Sequence, residues 1–242
     1  LKFVSKQKKY DVLHIASSAS ISLIKDIWMA NIAKRSGIKS VLHFHFGRIP
    51  ELAEQKNWEW KLLKRAINAV DKCVVIDNKS YTTLLKHGFN NIALLPNPLA
   101  PNVEQIIKQN QDYKRDNNTI LFVGHCVPTK GIYELGEACN KLKNIKLKLI
   151  GPIHNGIKAE LISKTNNAEW LEIKGACDFE YVITEMLQCS IFVLPTYTEG
   201  FPNVILESMA CGCPIITTPV GAIPEMLQFG SDNPCGVCVE PI

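Results

Sequence analysis

The sequence has no apolar run approaching the eighteen or so residues that a membrane-spanning helix needs, so no spanning segment is expected. It has no Asp-x-Asp, the carboxylate spacing that would hold a metal against a diphosphate. A metal site is therefore not expected. Its basic residues lack interleaved aromatic side chains on which bases could stack, which argues against nucleic acid as a partner. No glycine-rich segment precedes Tyr10, and the first residue is Leu1 rather than Met. Nine cysteines, an odd count without a secretory signature, point to reduced thiols rather than a disulfide framework. The stretch VLHIASSASISLI (12–24) has the look of a signal-peptide core. It contains His14, runs into Lys25-Asp26 and lacks a cleavage context, so it reads as a strand and following loop.

What is present is an ordinary globular composition, 46% hydrophobic and 21% charged, in a length that suits two smaller domains. Net charge is +4, but residues 1–70 hold 13 Lys/Arg against 5 Asp/Glu, and the remainder is acidic. Such asymmetry suggests an anionic partner for the front half, either a membrane surface or a phosphate-bearing substrate. The competing explanation is a solvated lysine-rich surface. Cys211-x-Cys213 and Cys235-x-x-Cys238 can be drawn as a zinc quartet, but buried small thiols explain both pairs better.

Short apolar runs at 11–16, 40–46, 72–77 and 91–96 read as strands, separated by helix patterns near 25–36, 51–70 and 79–88. After a polar stretch the rhythm restarts, with strands at 119–124, 145–151, 171–175, 190–195 and 213–218. Helix patterns fall near 131–143, 156–164, 179–188, 203–211 and 222–228. Strand–helix alternation predicts an α/β protein with parallel sheets. The expected division is a Rossmann-like domain over 1–107, a linker at 108–118 and a second Rossmann-like domain over 119–242, facing each other across a cleft. Ligands of such sheets bind beyond the carboxyl ends of the strands, so the residues following each strand deserve scrutiny.

After the strand ending near 123 comes GHCVPTKGIYELG, in which Lys130-Gly131 precedes a helix. An ammonium group beside a helix start makes an anion site, although a turn with a surface lysine explains the same residues. After the strand near 190–195 comes TEGFPNVILESMACGCP. Pro202 suits a first helical turn, leaving the amides of Asn203 and Val204 for a ligand. If a diphosphate sat there, Glu199 would be repelled by it and would serve better by accepting hydrogen bonds from sugar hydroxyls. Glu207, read as two turns into the helix and about 8 Å along its axis, would accept both hydroxyls of a ribose. Two solvated glutamates would be the bland alternative, but their surroundings are apolar.

These residues also carry a resemblance. Over 120–230 the sequence resembles the C-terminal domain of retaining GT-B glycosyltransferases of family 4. The Glu199-x7-Glu207 pattern, EGFPNVILESMACGCPII, TPVGAIPE and FVGHCVPTKG match that family in order and spacing. The resemblance implies the two-domain GT-B fold and transfer of a sugar from a nucleotide-diphosphate-sugar donor. Bacterial cell-surface polysaccharide or glycolipid synthesis is the expected setting. By the same resemblance Glu207 holds the nucleotide ribose, and Glu199 holds the donor sugar with backbone groups around Gly200 and Phe201. Lys130 neutralises the diphosphate, and backbone groups at Lys174 and Gly175 meet the nucleobase. His125 stands where the family usually has arginine. It lacks the guanidinium fork and is only partly charged near neutral pH, which predicts weaker or pH-dependent donor binding.

The front half resembles the family too. SVLHFHFGR looks like the strand whose following histidine faces the reacting carbon, making His45 the candidate. His43 lies on the same face by alternation, so periodicity does not separate the two. Asn97 is expected to shape the cleft. The helix pattern at 51–70 carries Trp60, Leu63, Ile67 and Val70 on one side and Lys61, Lys64 and Arg65 on the other. It reads as packed against a sheet, with docking to an anionic membrane as the alternative. Cytoplasmic placement, peripheral at the inner face of a membrane, follows from that alternative and from a carbohydrate or lipid-linked carbohydrate acceptor. The resemblance covers nearly every residue yet matches the middle of a longer protein, so the expectation is a chain truncated at both ends, with weak donor binding and slow turnover. A sugar-nucleotide epimerase of the same fold and a non-catalytic nucleotide-sugar-binding protein are the other readings.

Overall fold

A computed structural model describes residues 10–110 and 112–241, so the expected front domain's first residues and Gln111 of the expected linker lie outside the described chain. The chain divides into two compact units, Leu1–Asn97 and Pro98–Ile242. Each is an α/β unit with an all-parallel sheet.

In unit 1 the strands are β1 (Val12–Ser17), β2 (Lys39–Phe44), β3 (Lys72–Val75) and β4 (Ile92–Leu94), laid side by side in chain order. The helices are α1 (Ser22–Arg35), α2 (Ile49–Gln55), α3 (Trp58–Ala69) and α4 (Asn78–Lys86). Parallel strands added in one direction by right-handed crossovers place their helices on one face of the sheet. Strand β1 shows the consequence. Ile15 and Ser17 point into the core, while Val12, His14 and Ala16 are exposed on the other face.

The single helix expected over 51–70 is two. Lys56 adopts a left-handed conformation (φ 52°) and ends α2, and the Asn57 side chain then caps α3 by accepting from the amides of Glu59 and Trp60. The cap satisfies amides that a helix start leaves without partners. The Trp60, Leu63, Ile67 and Val70 stripe is buried, so packing on the sheet is its role and it is closed to a membrane.

Unit 2 is wound in both directions. Strands β5 (Thr119–Val123), β6 (Lys146–Ile150) and β7 (Leu171–Gly175) run outward with α6 (Ile132–Cys139) and α7 (Asn155–Lys164) between them. The chain returns through α8 (Phe179–Gln188) to β8 (Ile191–Leu194), which pairs with the opposite side of β5. Then follow α9 (Asn203–Ala210), β9 (Ile215–Thr217), α10 (Ile223–Met226) and β10 (Val237–Cys238). Covered on both faces, β5 is buried at all five residues, as a run of apolar side chains in a parallel sheet requires.

The boundary between units falls at Asn97/Pro98, earlier than the polar stretch at 108–118. Helix α5 (Val103–Gln109) belongs to unit 2 because Val103 and Ile106 enter its core. Nor is the polar stretch a free tether. Arg115 donates to the carbonyls of Met186, Cys189 and Cys211, and the Asp116 amide donates to Gln188. Composition marked polarity there; the guanidinium uses that polarity to tie together three segment ends.

All nine cysteines are free. Cys211 and Cys213 are buried as expected, but Cys235 and Cys238 are exposed, so burial explains only the first pair. Among the described residues no group of three His, Cys, Asp or Glu is placed to hold a metal.

Candidate functional site

The reversal of strand order in unit 2 lies between β5 and β8, the place where open α/β sheets bind ligands. The loops leaving those two strands carry His125 and Lys130 on one side and Glu199, Gly200, Phe201 and Pro202 on the other. A short 3-10 turn, Pro128–Lys130, closes the first loop and is followed by Gly131 in a left-handed conformation (φ 71°). A side chain at Gly131 would place its Cβ 2.1 Å from the Pro195 carbonyl oxygen, so glycine is what lets the two loops touch. The Tyr197 amide donates to Thr129 and completes the contact.

Lys130 thereby reaches across to the second loop. Its ammonium lies 2.5 Å from Glu199 Oε1 and donates to the Thr198 carbonyl at 3.3 Å. Both side chains are largely shielded, with 21% of Lys130 and 12% of Glu199 exposed. An ammonium has three protons, so one remains for an anion after these two contacts. The pair joins the candidate phosphate contact directly to the candidate sugar contact.

A third loop braces the second. Gly221 has φ 58°, and a Cβ there would come within 2.4 Å of the Glu199 carbonyl oxygen. The Ala222 amide donates to the Gly200 carbonyl at 2.9 Å, and the Thr218 hydroxyl donates to Thr196. These residues belong to the TPVGAIPE segment, whose sequence alone indicates no role for them. Their function is to hold the Glu199 loop.

Helix α9 begins at Asn203, with Pro202 as its extended cap rather than in its first turn. Glu207 is consequently the fifth helical residue, roughly 6 Å along the axis, about one turn in instead of two. It is 9% exposed, and burial raises the pKa of its carboxyl. Among the described residues no hydrogen bond or ion pair reaches that carboxylate from a side chain. With Asn203 and Leu206 it lines a small cavity of about 40 Å³ against Pro98, Leu99 and Ala100. A buried carboxylate without a partner is costly, and two hydroxyl groups arriving together would relieve it.

His125 is exposed beside this loop. Lys174 extends outward along β7 and pairs with Glu172. The Gly175 carbonyl accepts from the Gly151 amide at 2.7 Å, so that carbonyl already has a partner within the sheet. These two positions are not drawn into the Lys130–Glu199 cluster by any hydrogen bond among the described residues.

In unit 1, His45 follows β2 directly and its amide donates to Ser17 at 3.0 Å. Its ring lies 4.0 Å from that of His43, which lies 5.5 Å from His14, confirming that the histidines share a face. His45 is exposed. His43 is half-buried with Nε2 unpartnered, and burial, then the neighbouring imidazoles, lower its pKa to about 4. Burial followed by His14 lowers that of His45 as well. Sequence reading missed a polar brace at the same strand ends. Glu59, buried, accepts from the Ser20 amide at 2.8 Å and from Arg48 at 3.3 Å, while Ser17 donates to buried Asp26 at 2.5 Å. A serine-rich loop after a strand was the visible signal; the acids that fix it come from two helices.

Two parallel-sheet units, the second carrying a lysine–glutamate pair at its switch point and a buried helical glutamate, define a GT-B fold. Comparison with known proteins makes the class specific. The family model "Glycosyl transferases group 1" matches residues 103–241 and "Glycosyltransferase Family 4" matches residues 1–102. The chain belongs to the group 1 glycosyl transferases. It is 24% identical over 205 residues to the putative teichuronic acid biosynthesis glycosyltransferase TuaC of Bacillus subtilis, covering 81% of this chain and 51% of that protein. It is 38% identical over 121 residues to the capsular polysaccharide biosynthesis glycosyltransferase CapM of Staphylococcus aureus, covering 47% and 31% respectively. The crystal structure of Anabaena HepE in complex with UDP superposes with a TM-score of 0.75 at 19% identity, over 99% of this chain and 67% of that one. The chain thus spans about half or less of the curated relatives' own length.

Proposed function

We propose that the protein transfers a glycosyl group from a nucleotide-diphosphate sugar to a hydroxyl of a carbohydrate or lipid-linked carbohydrate acceptor, with retention at the anomeric carbon. Synthesis of a bacterial cell-surface polysaccharide or glycolipid is the setting, as the names of TuaC and CapM suggest for those relatives. The observation that carries this reading is the 2.5 Å Lys130–Glu199 pair at the switch point, with the Glu207 carboxylate buried in the adjoining helix and without a side-chain partner among the described residues.

In the reaction the bond between the anomeric carbon and the phosphate oxygen breaks, and the acceptor oxygen bonds to that carbon. The acceptor proton leaves on the departing phosphate. Negative charge gathering on the diphosphate is met by the remaining proton of Lys130, by His125 and by the first-turn amides of α9, groups already in place before the charge develops. No step calls on a metal. Glu199 keeps one oxygen on Lys130 and offers the other to sugar hydroxyls. Glu207 accepts the two ribose hydroxyls. Backbone groups near Lys174 and Gly175 are assigned to the base. His45 supports the positive charge that grows on the sugar, and its lowered pKa suits it, since a neutral imidazole does not oppose that charge.

The test is incubation of the complete protein with a panel of nucleotide sugars and saccharide acceptors, with products resolved by nuclear magnetic resonance. A glycoside with the donor's anomeric configuration is expected. An inverted glycoside contradicts retention, an epimerised nucleotide sugar makes the protein an epimerase, and binding without any product makes it a non-catalytic binder.

A further inference from the structure

Three cysteines and one arginine meet where α8 and α9 end. Arg115 donates to the carbonyls of Met186 and Cys189 at the end of α8 and to that of Cys211 at the end of α9. Beside it the sulfurs of Cys189 and Cys213 lie 3.9 Å apart, with Cys189 donating to Cys213. The thiol of Cys211 turns elsewhere, to the Ile183 carbonyl at 3.9 Å. The strands that follow are neighbours, β8 and β9 pairing from Phe192 and Ile215 onward. Closing the gap to the roughly 2 Å of a disulfide therefore asks mainly for rotation of two short side chains.

The two thiols are not equivalent. Cys189 is 1% exposed and Cys213 is 7% exposed. A hydrogen bond from Cys189, then the Arg115 guanidinium, lowers the pKa of Cys213 against the opposing effect of burial. The same bond, together with burial, raises that of Cys189. A thiolate is the nucleophilic form, so Cys213 is the member prepared to react. Cys73, Cys126 and Cys139 have burial alone acting on them, and it raises the pKa of each.

We propose that Cys189 and Cys213 are a hydroperoxide-sensitive pair, Cys213 the attacking thiol and Cys189 the resolving one, joined reversibly as a disulfide. The Cys213 sulfur attacks one peroxide oxygen, the O–O bond breaks, and the departing hydroxide takes the thiol proton and leaves as water. Cys189 then attacks the Cys213 sulfenic acid, the S–O bond breaks, and a second water carries off the Cys189 proton. Both sulfurs are oxidised by one electron and the peroxide is reduced by two. The bond closes residues 189–213 into a loop that contains β8, the Glu199 loop and α9. The Cys213 amide already donates to the Ser208 carbonyl and the Cys211 amide to that of Glu207, so the bridge fastens the helical turn that carries Glu207. None of this chemistry calls on a nucleotide sugar.

The experiment uses the complete protein carrying Cys177→Ser, Cys235→Ser and Cys238→Ser, which removes the exposed thiols. It is treated with hydrogen peroxide while folded, then unfolded, alkylated, digested and mapped by mass spectrometry. A peptide joining Cys189 to Cys213 and released by dithiothreitol is expected, with Cys73, Cys126 and Cys139 alkylated. The melting midpoint should rise by about 5 °C or more on oxidation, as closure of such a loop predicts. In Cys189→Ala, Cys213 should stop at the sulfenic acid and take up dimedone. The joined peptide is read with both cysteines intact, so that result stands even where the alanine variant does not fold. No joined peptide, a bridge to Cys211 instead, or a bridge that forms only in denaturant would overturn the proposal.

Discussion

Strand β5 in unit 2 and strand β1 in unit 1 hold similar apolar sequences and meet different fates. All of TILFV is buried, while VLHIAS alternates between core and solvent. The difference is one of winding. Unit 2 reverses direction at β5 and covers both faces, and the reversal creates a crevice with loops on either side. Unit 1 adds strands one way and leaves a face on which His14, His43 and His45 stand together. The proposed donor site sits where winding makes a crevice automatically; the histidines sit on a surface whose use depends on what meets it.

The contrast is sharpened first by stability. Leu121→Ala in β5 should cost about 3–5 kcal/mol in denaturant unfolding, because a fully buried side chain leaves a cavity between two helix layers. Val12→Ala in β1 should change stability by no more than about 0.5 kcal/mol. Equal losses would break the comparison. Next in size is Gly131→Ala, which forces a Cβ against the Pro195 carbonyl and a non-glycine residue into positive φ, for about 3 kcal/mol. Its chemical-denaturation midpoint should fall, and donor binding should weaken with it because the Lys130 loop loses its seat.

Lys130→Met removes the ammonium but keeps the length of the side chain. Affinity for nucleoside diphosphates should fall by about 2 kcal/mol in calorimetry, with nucleoside monophosphate binding less affected. A smaller effect belongs to unit 1. The folded pKa of His43 lies at about 4, against 6.5 when unconstrained, so the unfolded chain takes up this proton first. Stability should therefore be undiminished above about pH 6.5 and decline as pH falls toward 4. His43→Gln should flatten part of that slope in thermal melts taken across the range; an unaltered slope would remove His43 as its source.

Much of this was legible before any coordinates. Strand positions followed from short apolar runs, and so did the places of His45, Lys130 and Glu199 in the loops after strands and of Glu207 near a helix start. What escaped was local capping and long-range packing. The break between α2 and α3 depended on Asn57 winning as a cap over an uninterrupted amphipathic period, a contest that periodicity does not register. The domain boundary was misplaced because polarity at 108–118 conceals an arginine whose acceptors lie some seventy to ninety-six residues away. Likewise Gly131 and Gly221 are ordinary turn glycines in sequence. Only the approach of the Pro195 and Glu199 carbonyl oxygens to 2.1 and 2.4 Å from where their Cβ atoms would lie shows that they hold the loops of the candidate site together.

The most direct measurement is calorimetric titration of the complete protein and two variants with a nucleoside diphosphate and its sugar conjugate. Glu207→Ala should lose both ligands by roughly a hundredfold or more, the scale of two charge-assisted hydrogen bonds. Glu199→Ala should hold the diphosphate within a few-fold of the parent, at about 1 kcal/mol or less, and lose its preference among sugars. If both variants bind both ligands as the parent does, the two acids do not hold opposite ends of the donor.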